Sequence, residues 1–195
     1  MSISKVPAVH ASRAKLSPST LGKTAKAMLP FYRRVAASRP YSLRWAKAVR
    51  RGDLDTMIAM LHPYVPRFAI DGIATNGIGY FVDFPISGNQ PPYTNATSIR
   101  PGQTQFTFSA AIHRQIANAI IPLYTEIAAN KPFRDYLVQA INASNQALVS
   151  RLVRSLVPTH RLKTVRIAQS GITLGFRYPS SRYVYHNEFF QVRLY

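Results

Sequence analysis

The dipeptide Asn76-Gly77 separates two β-type segments, and no other feature of the sequence restricts the fold as strongly. Residues that favour strands run over 67–75 before it and 78–86 after it. An Asn-Gly pair between two such runs is the strongest short-range signal for a β-hairpin. A loop rich in Pro and Gly is expected over 87–103, followed by a further strand at 104–108.

The register of this hairpin bears on catalysis, because the whole chain holds only 7 acidic residues. A two-residue turn pairs Thr75 with Ile78. Asp71 and Asp83 then point to opposite faces of the hairpin. This register therefore argues against a paired general acid and base at these two carboxylates.

The segment 109–157 has a helical period instead. Ser109 is placed to cap a helix, Pro122 is expected to kink it, and the polar stretch 142–145 can divide the later part of the segment into two helices. Apolar residues recur at helical spacing along the whole segment. They are Ile112, Ile116, Ile120, Leu123, Ile127, Leu137, Ile141, Leu148 and Leu152.

The pattern returns to strands at 162–168, 172–178 and 182–194. The predicted fold class is therefore α+β. A mainly antiparallel sheet, formed by segments 67–108 and 162–194, packs against central helices within 109–157, and short helices and a basic arm precede it.

The N-terminal part contains the preceding helices. One is expected over 20–37, capped by Thr20 and broken or kinked at Pro30. Another begins at Ser42 and ends before Gly52, after which Asp53 caps a third helix. We predict two units, a basic arm over 1–40 with a possible helix and a single α+β domain over 41–195.

Positive charge is concentrated in the same part of the chain. The formal net charge is +18, and residues 1–52 contribute 12 Lys and Arg with no acid. Such a segment attracts phosphate backbones, anionic lipid surfaces or an acidic partner protein, or it serves only as a solvated tail. The C-terminal hairpin adds Arg and Tyr on an exposed strand face, a composition that suits base stacking and protein contacts alike.

Two hypotheses share one set of contact residues. The first is a non-enzymatic structural protein that assembles with itself through Tyr/Arg-rich β surfaces, the arm and sheet edges. The second is a nucleic-acid-binding or packaging protein, or a binder of another anionic polymer. The contact residues are Arg33, Arg34, Arg50, Arg51, Arg166, Arg177, Tyr178, Arg182, Tyr183, Tyr185, Arg193 and Tyr195.

Known catalytic signatures do not occur. The chain has no cysteine, no phosphate-binding glycine loop and no nucleophile elbow, and its 5 histidines are scattered. We predict no catalytic residue, no metal and no cofactor. With no secretory signal and no long apolar run, we expect an intracellular protein without integral membrane insertion.

Three segments resemble known families. The strings 77–84 and 175–186 resemble small basic, Tyr-rich proteins of Gram-positive spore-formers, some associated with spores or parasporal bodies, and this likeness implies a structural role. Residues 48–60 are similar to the first helices of nuclear-transport-factor-2-like cone folds, although the later element order departs. A third hypothesis, a cone-type pocket, requires Asp71, Asp83 or Glu126 to line it.

Overall fold

The computed structural model describes residues 15–88, 90–168 and 170–191. Within them, three helices, three strands, three helices and three strands follow in order. These are α1 (Pro18–Ala37), α2 (Arg39–Arg51), α3 (Leu54–Leu61), β1 (Gly72–Thr75), β2 (Gly79–Phe84), β3 (Tyr93–Ile99), α4 (Ala110–Ala129), α5 (Lys131–Asn142), α6 (Gln146–Leu156), β4 (Leu162–Ala168), β5 (Gly171–Arg177) and β6 (Val184–Gln191), with a short 3₁₀ turn at Arg67–Ala69.

All six strands form one sheet in the order β1-β2-β3-β6-β5-β4, and every neighbouring pair is antiparallel. The pairing of β3 with β6 joins the two halves of the sheet, because these strands come from the two segments on either side of the central helices. The predicted α+β class and the single sheet are confirmed.

Most helix ends agree with the sequence signals. Ser109 caps α4, and Gly52 ends α2 with a left-handed φ of 66° before Asp53 caps α3. Two expectations are wrong. The side chain of Ser17, not Thr20, caps α1, and no break occurs at Pro30, because α1 continues to Ala37. A kink at Pro30 stays a prediction.

The expected start of α2 at Ser42 is also wrong, because Ser38 caps this helix. Ser42 lies buried within α2, where its hydroxyl donates to the carbonyl oxygens of Val35 and Ser38 at 2.7 and 3.0 Å. A serine inside a helix can satisfy its hydroxyl in this way without ending the helix.

The core lies between the helices and one face of the sheet, which we call the inner face. Phe31 of α1 is at its centre, 4.7 Å from the ring of Trp45 and 5.7 Å from that of Tyr80 between centroids. Residues of α1 and α4 belong to the same buried cluster as the inner face. The boundary predicted at residue 40 therefore passes through one hydrophobic core. The division into two units stays a prediction.

The hairpin forms, but its register differs by two residues from the expected one. Thr75 pairs with Tyr80, so four residues connect the strands. The Thr75 hydroxyl explains the longer turn, since it donates to the Gly79 carbonyl at 2.7 Å and accepts from the Gly77 amide at 3.2 Å. A shift of two preserves the faces, so Asp71 and Asp83 still lie on opposite sides.

The loop expected over 87–103 and the strand expected over 104–108 are both wrong. The strand is β3, Tyr93–Ile99, whereas 104–108 has no strand. All seven residues of β3 are buried, although their sequence is largely polar. Because the central position of β3 buries both of its faces, no apolar alternation marks it.

Candidate functional site

The interior contains a closed ring of four hydrogen bonds between side chains of two helices and two strands. The Tyr32 hydroxyl donates to Asn95 Oδ1 at 2.8 Å, and Asn95 Nδ2 donates to the Tyr124 hydroxyl at 2.7 Å. That hydroxyl donates to Asn187 Oδ1 at 2.9 Å, and Asn187 Nδ2 returns to the Tyr32 hydroxyl at 3.0 Å. The ring ties α1 and α4 to β3 and β6.

Polar groups continue from the ring towards α4. The Thr97 hydroxyl lies 3.3 Å from the hydroxyls of both Tyr32 and Tyr80, and the Tyr80 hydroxyl lies 2.9 Å from His113 Nε2. Each of these side chains is fully buried. Burial lowers the pKa of His113 to about 3 and raises the pKa of Tyr32 and of Tyr80. The ring and its extension are closed to solvent in this structure.

The predicted contact residues do not lie together on one surface of the structure. Tyr178 and Tyr185 are buried, and the Tyr185 hydroxyl accepts from the Ser109 amide at 3.0 Å. Arg50 is half-buried and donates to the Phe108 carbonyl at 2.6 Å. These three side chains hold the fold together and do not form an outer contact surface. Arg193 and Tyr195 lie outside the described residues.

The remaining contact residues occupy separate surfaces. Arg33 and Arg34 are exposed on α1, Arg51 is exposed at the end of α2, and Arg166 and Arg177 are exposed on the face of the sheet opposite the core, the outer face. Arg182 and Tyr183 precede β6, where the Arg182 guanidinium donates to the Tyr183 hydroxyl at 2.6 Å.

Side chains of α6 occupy the free edge of β4. Gln146 Nε2 donates to the Val165 carbonyl at 2.9 Å, and Gln146 Oε1 accepts from the Ile167 amide at 3.0 Å. Arg154 donates to the carbonyls of Leu162 and Lys163, each at 3.1 Å. Strand addition needs unpaired backbone groups, so this edge is a poor template for another chain.

A large concavity lies beside the first half of α1 and has a volume of about 1030 Å³. Leu16, Phe84 and Tyr93 contribute buried apolar surface to it. Lys15, Lys23 and Lys26 also line it, all three with exposed side chains. No Asp or Glu is present among its lining residues.

A second concavity of about 370 Å³ shares Tyr64 with the first, so the two adjoin. Arg34 and Arg44 line it, again with no acidic residue in the lining. We call the two together the α1 groove. Its five cations have no ion-pair partner among the described residues, where the one salt bridge joins Lys131 to Asp135.

Aromatic side chains accompany the cations of the α1 groove. Phe68 is 90% exposed within the larger concavity, more than any other large hydrophobic residue in the described ranges. In the smaller one, the Arg34 guanidinium lies 5.5 Å from the centre of the Tyr41 ring, which meets Tyr64 edge-on at 5.6 Å. Burial raises the pKa of Tyr41, and Arg34 opposes that rise.

The sequence prediction missed most of this groove. It included Arg34 but not Lys15, Lys23, Lys26, Arg44 or Phe68. The available signal was the spacing of Lys23, Lys26, Pro30 and Arg33, which lies on one face of a helix and is exposed along its length. Because the helix is expected to be broken or kinked at Pro30, the sequence prediction does not include the exposed face that continues across this residue.

Three alternatives to this groove are a carboxylate-lined pocket, a metal site and a membrane-spanning helix. Neither concavity includes Asp71, Asp83 or Glu126 in its lining. Asp83 accepts from the Thr94 hydroxyl at 2.6 Å, and Glu126 accepts from Asn130 Nδ2 at 2.8 Å. Across residues 15–88, 90–168 and 170–191 there is no cluster of three potential metal ligands, and none of the helices there is long and apolar enough to cross a membrane.

Comparisons of the chain with protein-family models, with curated proteins and with solved structures found no match.

Proposed function

We propose that this chain is a non-enzymatic nucleic-acid-binding protein. The observation that carries the proposal is the exposed surface of α1 and α2, where cations recur at helical spacing and none of them forms a salt bridge among the described residues. Lys23, Lys26 and Arg33 follow one face of α1, and Arg44, Lys47 and Arg51 follow one face of α2.

Exposed Lys and Arg side chains that form no salt bridge on α1 and α2 favour a ligand with many regularly spaced negative charges. Phosphate backbones provide such charges, and neutralising them releases condensed counterions, which drives binding at low and moderate salt. Arg34 and Arg44 line the same concavity, so the charged surfaces of α1 and α2 are continuous there. The scale of the charge and its continuity both support a polymeric ligand.

The test is binding of a labelled DNA duplex as a function of salt. We expect the logarithm of the affinity to fall linearly with the logarithm of the salt concentration, and R33S/R44S/R51S to lower that slope by about 0.9 for each phosphate that the variant no longer neutralises. The matched control R151S/K163S/R177S has the same net charge on other surfaces. Absent or salt-insensitive binding of both the duplex and a single strand of the same length, or equal losses in both triple variants, would overturn the proposal.

A second candidate is the structural role, in which copies of the chain associate through the outer face of the sheet. One observation favours it. The outer face carries both charge signs, with Arg166 and Arg177 on β4 and β5 and Asp83 and Glu188 on β2 and β6, as a self-complementary twofold contact requires. Association with spores stays a prediction of the family resemblance.

Light scattering on a sizing column separates the two candidates. The structural role predicts particles free of nucleic acid at low and high salt, which R166E disperses to monomers. The binding role predicts a complex with an elevated 260/280 nm absorbance ratio that high salt converts to a nucleic-acid-free monomer. A wild-type chain that stays monomeric at high protein concentration would count against the structural role.

A further inference from the structure

Resting on the proposed function, we propose that the α1 groove is a binding site for single-stranded nucleic acid, with Phe68 as a stacking platform for a base. Three properties of the groove carry this inference, namely its concave shape, the distribution of its cations and the exposure of an aromatic ring. Each is a property of described residues.

The shape favours a strand that enters the surface. Helix α1 forms one wall of the larger concavity, and Pro66, Phe68, Ala69 and residues 84–87 contribute to the lining beside it. Its volume of about 1030 Å³ is at the upper end of the range for small-molecule pockets. It can therefore hold more than one nucleotide unit, with the smaller concavity continuing the path past Tyr64.

The cations follow this path. From Lys23 to Arg34 along α1 the distance is about 16 Å at 1.5 Å per residue. Lys15 adds a charge near the beginning of α1, and Arg44 adds one from α2. Charges distributed along a path match successive phosphates of one chain. A lipid or fatty acid has one anionic head group and would leave most of these cations unneutralised.

The exposed side chain of Phe68 favours single-stranded over double-stranded nucleic acid. Phe68 presents almost its entire ring to solvent within the larger concavity. Bases of a single strand can stack on such a ring, whereas bases of a duplex already stack on one another and stay inside the helix. Single exposed apolar residues are common on proteins, but this one lines the same concavity as three lysines.

The test measures fluorescence anisotropy of labelled 20-nucleotide dT and rU oligonucleotides and of a 20-base-pair duplex. We expect F68A to weaken single-strand binding roughly five- to 150-fold, as the loss of one stacked base implies, and to leave duplex binding unchanged. We expect K23S/K26S to lower the single-strand salt slope by about 1.4.

Matched controls use residues that line neither concavity. Tyr136 is an exposed aromatic residue on α5, so Y136A controls for F68A. R151S/K163S has the same net charge as K23S/K26S, and it changes α6 and β4 at the far edge of the sheet from β2. Both controls should bind the oligonucleotides as the wild type does.

The outcomes separate the two proposals. If the wild type binds neither single strands nor duplex, the proposed function fails. If it binds both but F68A and K23S/K26S match their controls, the function stands and the groove inference is overturned. Titration with oleate adds a third arm. If oleate binds the wild type more tightly than K23S/K26S and displaces no oligonucleotide, the groove is an acyl site and the inference is overturned.

Discussion

Two regions of this molecule differ in whether their polar and charged side chains have partners within the chain. In the interior, Tyr32, Asn95, Tyr124 and Asn187 satisfy one another in a closed ring. Along the α1 groove, five cations form no salt bridge among the described residues. Because an unsatisfied polar group is costly inside and inexpensive in water, the first arrangement stabilises the fold and the second leaves charge available for a ligand.

The largest effect is expected from breaking the interior ring. Asn187→Leu removes a side chain whose amide Nδ2 donates to the Tyr32 hydroxyl and the Ala96 carbonyl, and whose Oδ1 accepts from Tyr124. Leaving several buried groups unsatisfied should lower the free energy of unfolding by about 3 kcal/mol or more. Urea denaturation followed by circular dichroism measures this loss.

A milder pair of variants provides the control. Tyr124→Phe and Tyr136→Phe each delete one tyrosine hydroxyl. The first hydroxyl belongs to the hydrogen-bonded ring, and the second lies on the exposed surface of α5. We expect a cost of about 1–3 kcal/mol for the first and almost none for the second. Equal costs for the two variants would show that the ring contributes nothing particular to stability.

The next effect in size comes from pH, through His113. Its folded-state pKa of about 3 lies below the ordinary value of 6.5. Between these values the unfolded chain binds a proton that the folded chain excludes. Stability is therefore complete above about pH 6.5 and falls as the pH decreases, by up to about 1.4 kcal/mol per pH unit.

His113→Phe tests this dependence. The variant should show a smaller decrease in unfolding free energy between pH 6.5 and 5 than the wild type, measured by denaturation at each pH. His186 leaves a remaining slope of the same sign, because burial, with Arg100 and Arg166 nearby, lowers its pKa to about 4. An unchanged slope in the variant would exclude His113 as the source.

Where apolar periodicity was strong, the sequence predicted the fold well. The stripe of α4 and the Gly52–Asp53 helix junction form as expected, and β4 and β5 form the C-terminal hairpin, although β5 begins at Gly171 and not at 172. The failure at β3 has a tertiary cause. This strand can be polar because Asn95 and Thr97 are satisfied by Tyr32, Tyr80 and Tyr124, which are distant in the sequence and approach only through tertiary packing.

The candidate site was harder to predict than the fold. Composition located the positive charge in the first 52 residues, but it could not show which cations share a concavity. Tyrosine content suggested an outer contact surface, yet Tyr178 and Tyr185 are buried. Phe68 had no signal at all, since an exposed phenylalanine and a buried one are identical in a sequence without its fold.

The smallest effect is expected from removing charge at the α1 groove. K23S/K26S deletes two exposed cations in a chain of net charge +18, so it relieves self-repulsion, and neither lysine belongs to the one salt bridge of the described residues. The free energy of unfolding should change by about 0.5 kcal/mol or less, in the direction of a gain. Thermal unfolding at low and high salt measures it, and the gain should vanish at high salt because ions screen exposed charges. A loss comparable to that of Asn187→Leu would mean that these lysines support the fold, and the contrast between the satisfied ring of side chains in the interior and the groove cations without salt bridges would not hold.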